Sequence, residues 1–409
     1  MTPNTTLSGR WAFLAPFGYR GFPSLWSAGA LASLGMWIET VAQGWLVLEL
    51  TDSPFLLGLS AAGRGLAMLL FGALGGVAAD MADRRRVMIG VQLVSAATAF
   101  AISFLVVTEL IQFWHILALG FLNGAANAAN QPARQSYIYD LVSREHLSKA
   151  VALNSMANHA TRIVGPFSSG LLIAFLGIEG CFFLNGVSRL AAALAVVTMP
   201  KDSKTIVRSG SLWANLKEGF EYVWGNRLVL SLVGTEVLAD TFAFSYRFML
   251  PVFARDVLGV GPIGLGTLYS AAGAGAVVGA LAAGYLGDTR TKGVILALSL
   301  FGFGVSLVLF SLSAWYALSL LFLFCAGGSA TSYDTMMVTI IQVSVPDEIR
   351  GRVLGIYGLT FGMTSFGSLQ AGAIASLVGA PFAVGMGGAI VAVYALILSR
   401  ANRRLRATR

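Results

Sequence analysis

Residues 293–311, GVILALSLFGFGVSLVLFS, contain no charged side chain and no break in apolar character. A bilayer core of about 30 Å is spanned by roughly 20 apolar residues in a helix, so this stretch reads as a membrane span. Working outward from it, similar runs lie near 22–48, 54–79, 87–107, 112–139, 149–176, 180–199, 227–253, 262–286, 315–342, 352–378 and 381–399. With the quoted run this gives an expectation of twelve transmembrane helices. A membrane β-barrel would show roughly ten-residue alternating segments instead. The fold expected is all-α and integral to the membrane.

Composition agrees. Of 409 residues, 56% are hydrophobic and 11% charged, against about 25% charged in soluble domains. Residues 1–21 carry Arg10 and Arg20 around a short apolar stretch, which does not read as a cleaved signal peptide. Cys181 and Cys325 both fall inside predicted helices, which supports neither a disulfide framework nor a thiolate metal site. The net charge of +8 raises nucleic acid as a partner, and the placement of the charge removes it. Lys and Arg favour cytoplasmic loops. Here they gather at both termini and in the even-numbered loops: Arg84, Arg85 and Arg86, Arg144 and Lys149, the 201–227 stretch, Arg290 and Lys292, Arg350 and Arg352, and Arg400 to Arg409. Both termini are therefore expected in the cytoplasm of a multi-pass protein of the cell (inner) membrane.

The chain repeats itself. Gly72, Gly76 and Asp80 are matched by Ala280, Gly284 and Asp288, and Gly165, Gly170 and Gly177 by Gly367, Gly372 and Gly379. Segments 141–151 and 344–353 also align with one gap. A six-helix unit thus occurs twice, as in many transporters, and the expected domains are 1–199, a linker at 200–226, and 227–409. In the linker, Leu212, Trp213, Leu216, Phe220, Val223 and Trp224 recur at helical spacing, an amphipathic helix suited to a membrane interface.

Three motifs, GVAADMADRRRV at 76–87, PARQ at 132–135 with DLVSREHLSKAVALNS at 140–155, and RIVGPFSSG at 162–170, resemble the major facilitator superfamily, and within it the drug and siderophore exporter branch. The resemblance covers nearly the whole chain. It implies two six-helix bundles around a central cavity and alternating access without a cofactor. It also implies a conformational latch at Gly76, Asp80, Asp83, Arg84, Arg85 and Arg86, and an antiporter-like fifth-helix element at Gly165, Pro166 and Gly170. Asp83 stands where the superfamily commonly has Gly, and Gly120 to Gly124 lacks the fourth-helix arginine of many relatives. Physically, Gly72 and Gly76 offer a small-residue face for close helix approach, and the three arginines can pair with Asp83 or with lipid phosphates.

Ionisable groups inside a bilayer cost a few kcal/mol each, so they face cavities and have partners. Glu39 and Arg64 match in depth on successive helices, and Gln43 lies one turn from Glu39. Glu236, Asp240 and Arg247 form a stripe on helix seven; a carboxylate that exchanges a proton is what proton coupling requires. Helix four offers Asn123, Asn127, Gln131 and Arg134; helix five offers Asn154, Asn158 and Arg162; Asp334 sits in helix ten. Each also has a structural reading as a pair fixing helix register. The candidates for proton coupling or the substrate cavity are Glu39, Gln43, Arg64, Asn127, Asn158, Arg162, Glu236, Asp240, Arg247 and Asp334. His115 and His159 read more readily as hydrogen-bonded structure than as proton relays. No Walker loop or HExxH pair occurs, so neither an enzyme nor a metal protein is expected.

The functional expectation is proton-coupled export of amphipathic small molecules such as drugs, siderophores or lipophilic metabolites, by a monomer whose partners are a small-molecule substrate, protons and membrane lipids, with no nucleic acid. The alternative is uptake or facilitated diffusion of a small metabolite or lipid on the same fold.

Overall fold

The computed structural model describes residues 9–81, 83–200, 212–286 and 292–401. Apart from a short 3-10 segment at Gly9–Gly18 and two π-helical stretches, every element is an α-helix: α1 (Phe22–Thr51), α2 (Pro54–Met81), α3 (Arg84–Val107), α4 (Phe113–Asn127), α5 (Asn130–Leu141), α6 (Leu147–Val197), α7 (Leu212–Gly225), α8 (Arg227–Leu238), α9 (Tyr246–Val252), α10 (Gly261–Leu286), α11 (Lys292–Leu312), α12 (Tyr316–Ser344), α13 (Asp347–Thr360), α14 (Met363–Val378) and α15 (Ala380–Ala401). Among the described residues, nine helices are long and apolar enough to cross a membrane. The stretch 292–312 is one of them.

Nine differs from the expected twelve because helices both merge and break. α6 runs through two expected spans and turns between them at Gly177, whose φ is +71°. The expected helix at 112–139 is broken into α4 and α5 around Ala128 and Ala129, and the one at 352–378 into α13 and α14 around Phe361 and Gly362. The span at 227–257 carries π-helical turns at Ala239–Ala243 and Phe253–Val257. Such turns insert a residue into the helical ladder and recur at functional sites.

The chain divides into two compact units, 1–46 with 63–208, and 47–62 with 209–409. The boundary cuts through α1 and α2 as well as the linker. Within the second unit, the hairpin tip at 47–62 is held by side chain and backbone: Arg255 donates to the Leu48 carbonyl and pairs with Asp52, and Ser368 Oγ donates to the Gly58 carbonyl.

Each unit encloses a few polar groups within an apolar interior and turns apolar side chains outward as well. Phe175, Leu281 and Leu377 are at least 72% exposed, whereas Glu39, Asn123, Arg189, Glu236 and Asp240 are at most 5% exposed. This arrangement suits a protein whose solvent is hydrocarbon. Without a hydrophobic drive between helices, close packing of small residues associates them. In the second unit, a Cβ at Gly275 or Gly279 would collide with backbone of α12, and one at Gly304 with backbone of α15. At one end of the first unit a core of Tyr19, Phe22, Leu25, Tyr137, Ile138 and Leu153 joins α1, α5 and α6.

The repeat has a structural counterpart in each unit. Gly165 abuts Trp37 of α1, and Gly367, displaced by 202 residues, abuts the Thr241 carbonyl between α8 and α9. Gly177 and Gly379, with the same displacement, both have positive φ and both turn the chain into the following helix. The small-residue face expected at Gly72 has a different outcome: a Cβ there would meet nothing within 4 Å, and the same holds at Gly284. Among the described residues no helix approaches either position closely, and Gly76, the other member of that face, has no described surroundings.

Candidate functional site

Polar groups collect at one place in each unit, and the two places differ in charge. In the first unit, α1 carries Glu39 inward because Gly35 and Gly120 leave room beside it for Asn185, Arg189 and Gln43. Glu39 Oε1 accepts a hydrogen bond from Asn123 Nδ2 at 2.6 Å and lies 3.8 Å from Arg64. Its Oε2 accepts from Asn185 Nδ2 at 3.3 Å and lies 3.6 Å from Arg189. Arg189 in turn reaches Gln92 Oε1 and Asn185 Oδ1, both at 3.4 Å. Asn127 Nδ2 and Ser95 Oγ each donate to Asn123 Oδ1 at 2.7 Å. Glu39 is thus a carboxylate surrounded by donors, with a guanidinium on each oxygen.

The expected pairing of Glu39 with Arg64 is present, but a second arginine shares the acid. Arg189, Asn185, Gln92 and Ser95 were absent from the sequence-based candidates. Arg189 was visible as an arginine inside a predicted helix. Nothing local tied it to Glu39, 150 residues away, because only the packing of α6 against α1 brings the two together. Gln43 is buried at 5% exposure, and its Oε1 has no hydrogen-bond partner.

In the second unit the site is acidic. Glu236 is fully buried at the end of α8, and Asp240 lies in the π-helical turn that follows. Tyr333 Oη donates to Glu236 Oε2 at 2.6 Å, while Glu236 Oε1 and Asp240 Oδ2 have no partner. Asp334 accepts from Tyr357 Oη. Arg247, the third member of the expected stripe, acts on Asp240 through its charge but forms no ion pair with it. Its guanidinium sits 4.8 Å above the Phe244 ring, and it makes no ion pair among the described residues. The π-turn between Asp240 and Arg247 breaks the i, i+4 register on which that stripe depended, and cation–π attraction takes the place of a salt bridge. Tyr333 and Tyr357, also absent from the candidates, come from α12 and α13; a tyrosine in an apolar run carries no distinguishing sequence signal.

The remaining candidates scatter. Asn158 and Arg162 are half-buried one turn apart on α6. Pro166 and Gly170 are buried in the same helix, beside Gly165. Asp83 caps α3, accepting from the amides of Arg85 and Arg86, and pairs with Arg86 at 3.6 Å. Arg84 pairs with Asp140, and Arg85 donates to the carbonyls of Val196 and Val197 at the end of α6. The basic triplet therefore ties α3 to α5 and α6, with only Arg86 turned to Asp83. Gly76 and Asp80 fall in the last turns of α2, and their side chains lie outside the described residues, as does Asp288. No group of three or more His, Cys, Asp or Glu able to hold a metal occurs among the described residues.

Residues 11–408 match the family described as transmembrane secretion effector. The chain is 26% identical over 398 residues to the enterobactin exporter EntS of Shigella boydii serotype 4 (strain Sb227), covering 95% of this chain and 94% of that one. It is 25% identical over 398 residues to EntS of Escherichia coli O81 (strain ED1a), with the same coverage. Among solved structures, it resembles a bacterial homologue of the human lysosomal transporter Spinster (TM-score 0.75, 13% identity, 94% of this chain and 98% of that one). The nucleoside transporter NupG (TM-score 0.73, 14% identity, 94% and 98%) and a D-xylose–proton symporter (TM-score 0.74, 13% identity, 94% and 98%) are similar to it as well.

Proposed function

The chain belongs to the transmembrane secretion effector family of major facilitator transporters, and from that premise we propose that it exports amphipathic small molecules in exchange for protons. In this reading twelve helices form two six-helix bundles, 1–199 and 227–409, joined by the linker at 200–226 with both termini in the cytoplasm. The bundles rock about a central site, giving alternating access. The full-length similarity to enterobactin exporters supports the outward direction.

One observation carries the coupling. Glu236 and Asp240 are at most 1% exposed, and among the described residues each has an oxygen without a hydrogen-bond partner and neither forms an ion pair. A charged carboxylate so placed lacks compensation, while a protonated one is neutral and can itself donate a hydrogen bond. Glu39 is in the opposite situation. Two guanidinium groups and two carboxamides surround it, so in this reading it ties α1 to α2, α4 and α6. Asp334, held by Tyr357, extends the acidic group toward α13.

The test uses inverted vesicles under an imposed proton gradient, with dansylglycine, dansylamide and rhodamine 6G as transported probes. Wild-type protein accumulates at least one of them, and a protonophore abolishes the accumulation. Glu236→Gln and Asp240→Asn lose the gradient dependence; Glu39→Gln keeps it. If Glu236→Gln and Asp240→Asn both transport like wild type, the coupling site lies elsewhere. If no probe moves in response to the gradient, the exporter reading fails.

A further inference from the structure

Arg64 stands ten residues into α2, about 15 Å along its axis at 1.5 Å per residue. That depth is too great for the side chain to place its charge among lipid headgroups, so the charge must be met inside the protein. Its one partner does not meet it. Glu39 lies 3.8 Å away, beyond hydrogen-bond reach, and the same carboxylate is already engaged by Asn123, Asn185 and Arg189. One negative charge stands against two positive ones. Arg189, at 2% side-chain exposure, is enclosed and hydrogen-bonded to Gln92 and Asn185. Arg64, at 26%, is accessible, and among the described residues it donates no hydrogen bond. The surplus positive charge of the network therefore resides on Arg64, with five N–H donors unspent.

A second unspent group lies one turn along α1 from Glu39, the ion-pair partner of Arg64. Gln43 Oε1 is a buried acceptor without a donor. Gln43 abuts Gly120, and the Arg64 backbone abuts Gly124, one turn further along the same face of α4. A half-buried cation and a buried acceptor, both without a hydrogen-bond partner among the described residues, are costly in the empty protein. An anionic group that also carries an O–H or N–H donor satisfies both at once. Arg134 of α5 repeats the sign of the charge: among the described residues it donates to Asn154, and its Nε has no acceptor.

We propose that Arg64 and Gln43 form an anion subsite in the first unit, selecting substrates that bear an acidic oxygen next to a hydrogen-bond donor. The subsite rests on the transporter reading and names its substrate class. Arg64 supplies charge-assisted hydrogen bonds to the acid, and Gln43 Oε1 accepts from the neighbouring donor. Glu39 acts as a positioning residue that holds the guanidinium at the edge of the network while leaving its outer N–H groups free.

The test is equilibrium binding without any proton gradient, so that it stands or falls apart from coupling. Purified full-length protein in nanodiscs is titrated with three probes sharing one fluorophore: dansylglycine (anionic, with an N–H beside the acid), dansylamide (neutral) and dansylcadaverine (cationic). Wild type binds dansylglycine most tightly. Loss of a charge-assisted bond of about 1.5–3 kcal/mol makes Arg64→Gln bind it about tenfold to hundredfold more weakly, with dansylamide unaffected. Arg64→Lys retains most of the preference, and Gln43→Leu weakens dansylglycine more than its N-methyl analogue dansylsarcosine, which lacks the donor. Thermal unfolding of each variant separates misfolding from loss of the subsite. Equal affinity of wild type for the three probes, no binding of dansylglycine, or a stably folded Arg64→Gln with the preference intact each overturns the proposal.

Discussion

Glu39 and Glu236 are both glutamates buried at the membrane-spanning core of a unit, and they differ in what surrounds them. Around Glu39, removing Arg189 takes away the enclosed guanidinium and leaves the buried carboxylate only Arg64, half-exposed and 3.8 Å away. Breaking such a pair costs about 3–5 kcal/mol. Arg189→Ala is therefore expected to lower stability by that order, measured as the loss of folded protein in denaturant titrations in detergent. Glu236→Gln removes a charge that has no cation to lose and keeps the Tyr333 hydrogen bond, so its stability should stay within about 1 kcal/mol of wild type in the same titration. If Glu236→Gln is the more damaging of the two, the contrast between a fixed and an exchangeable carboxylate is mistaken.

At the scale of helices, some glycines touch backbone, some touch side chains and some touch nothing within 4 Å. At Gly367 a methyl group would run into the Thr241 carbonyl, beside the π-turn that carries Asp240. Overpacking of this kind costs about 1–3 kcal/mol. Gly367→Ala is expected to lower thermal stability and to slow gradient-driven transport together, because it displaces the element bearing Asp240. Gly72→Ala, with open space around it, should match wild type or gain slightly through helix propensity. The turn glycines form a further set. Gly177 at φ +71° and Gly379 at φ +102° hold a conformation that costs a residue with a Cβ about 1 kcal/mol or more. Gly177→Ala and Gly379→Ala should therefore each destabilise the protein by that amount, read as a shift in unfolding temperature. Similar penalties at both sites would express the sequence repeat as an energetic one.

For the molecule as a whole, the basic residues set the expected orientation. A tag after Arg409 should be cut by added protease in inverted vesicles and protected in intact spheroplasts; protection in inverted vesicles would reverse the topology. The linker helix α7 has an anchor that spacing did not reveal: Arg352 of α13 pairs with Glu218, and Gly219 lets Ile356 pack close. The amphipathic face of α7 thus has protein on part of it, and the side chains at 212–216 lie outside the described residues.

Some of this protein was written plainly in its sequence. Twenty-residue apolar runs mean membrane helices because the bilayer thickness imposes that length. The matched glycines at 165 and 367, and at 177 and 379, mark a repeated unit because only glycine fits a close contact with the neighbouring helix or a left-handed turn. The matched depth of Glu39 and Arg64 was legible for a similar reason: two residues on successive helices of known direction lie at computable heights. Other features had no local signature. Arg189 reaches Glu39 only after α6 folds back on α1, Tyr333 and Tyr357 meet Glu236 and Asp334 only through the packing of α12 and α13, and the π-turn that parts Arg247 from Asp240 breaks a register that spacing alone assumes. Periodicity and length are properties of one helix in one solvent, so the sequence determines them. Which charges are neutralised and which are left over depends on several helices meeting at once, and only the tertiary structure decides that.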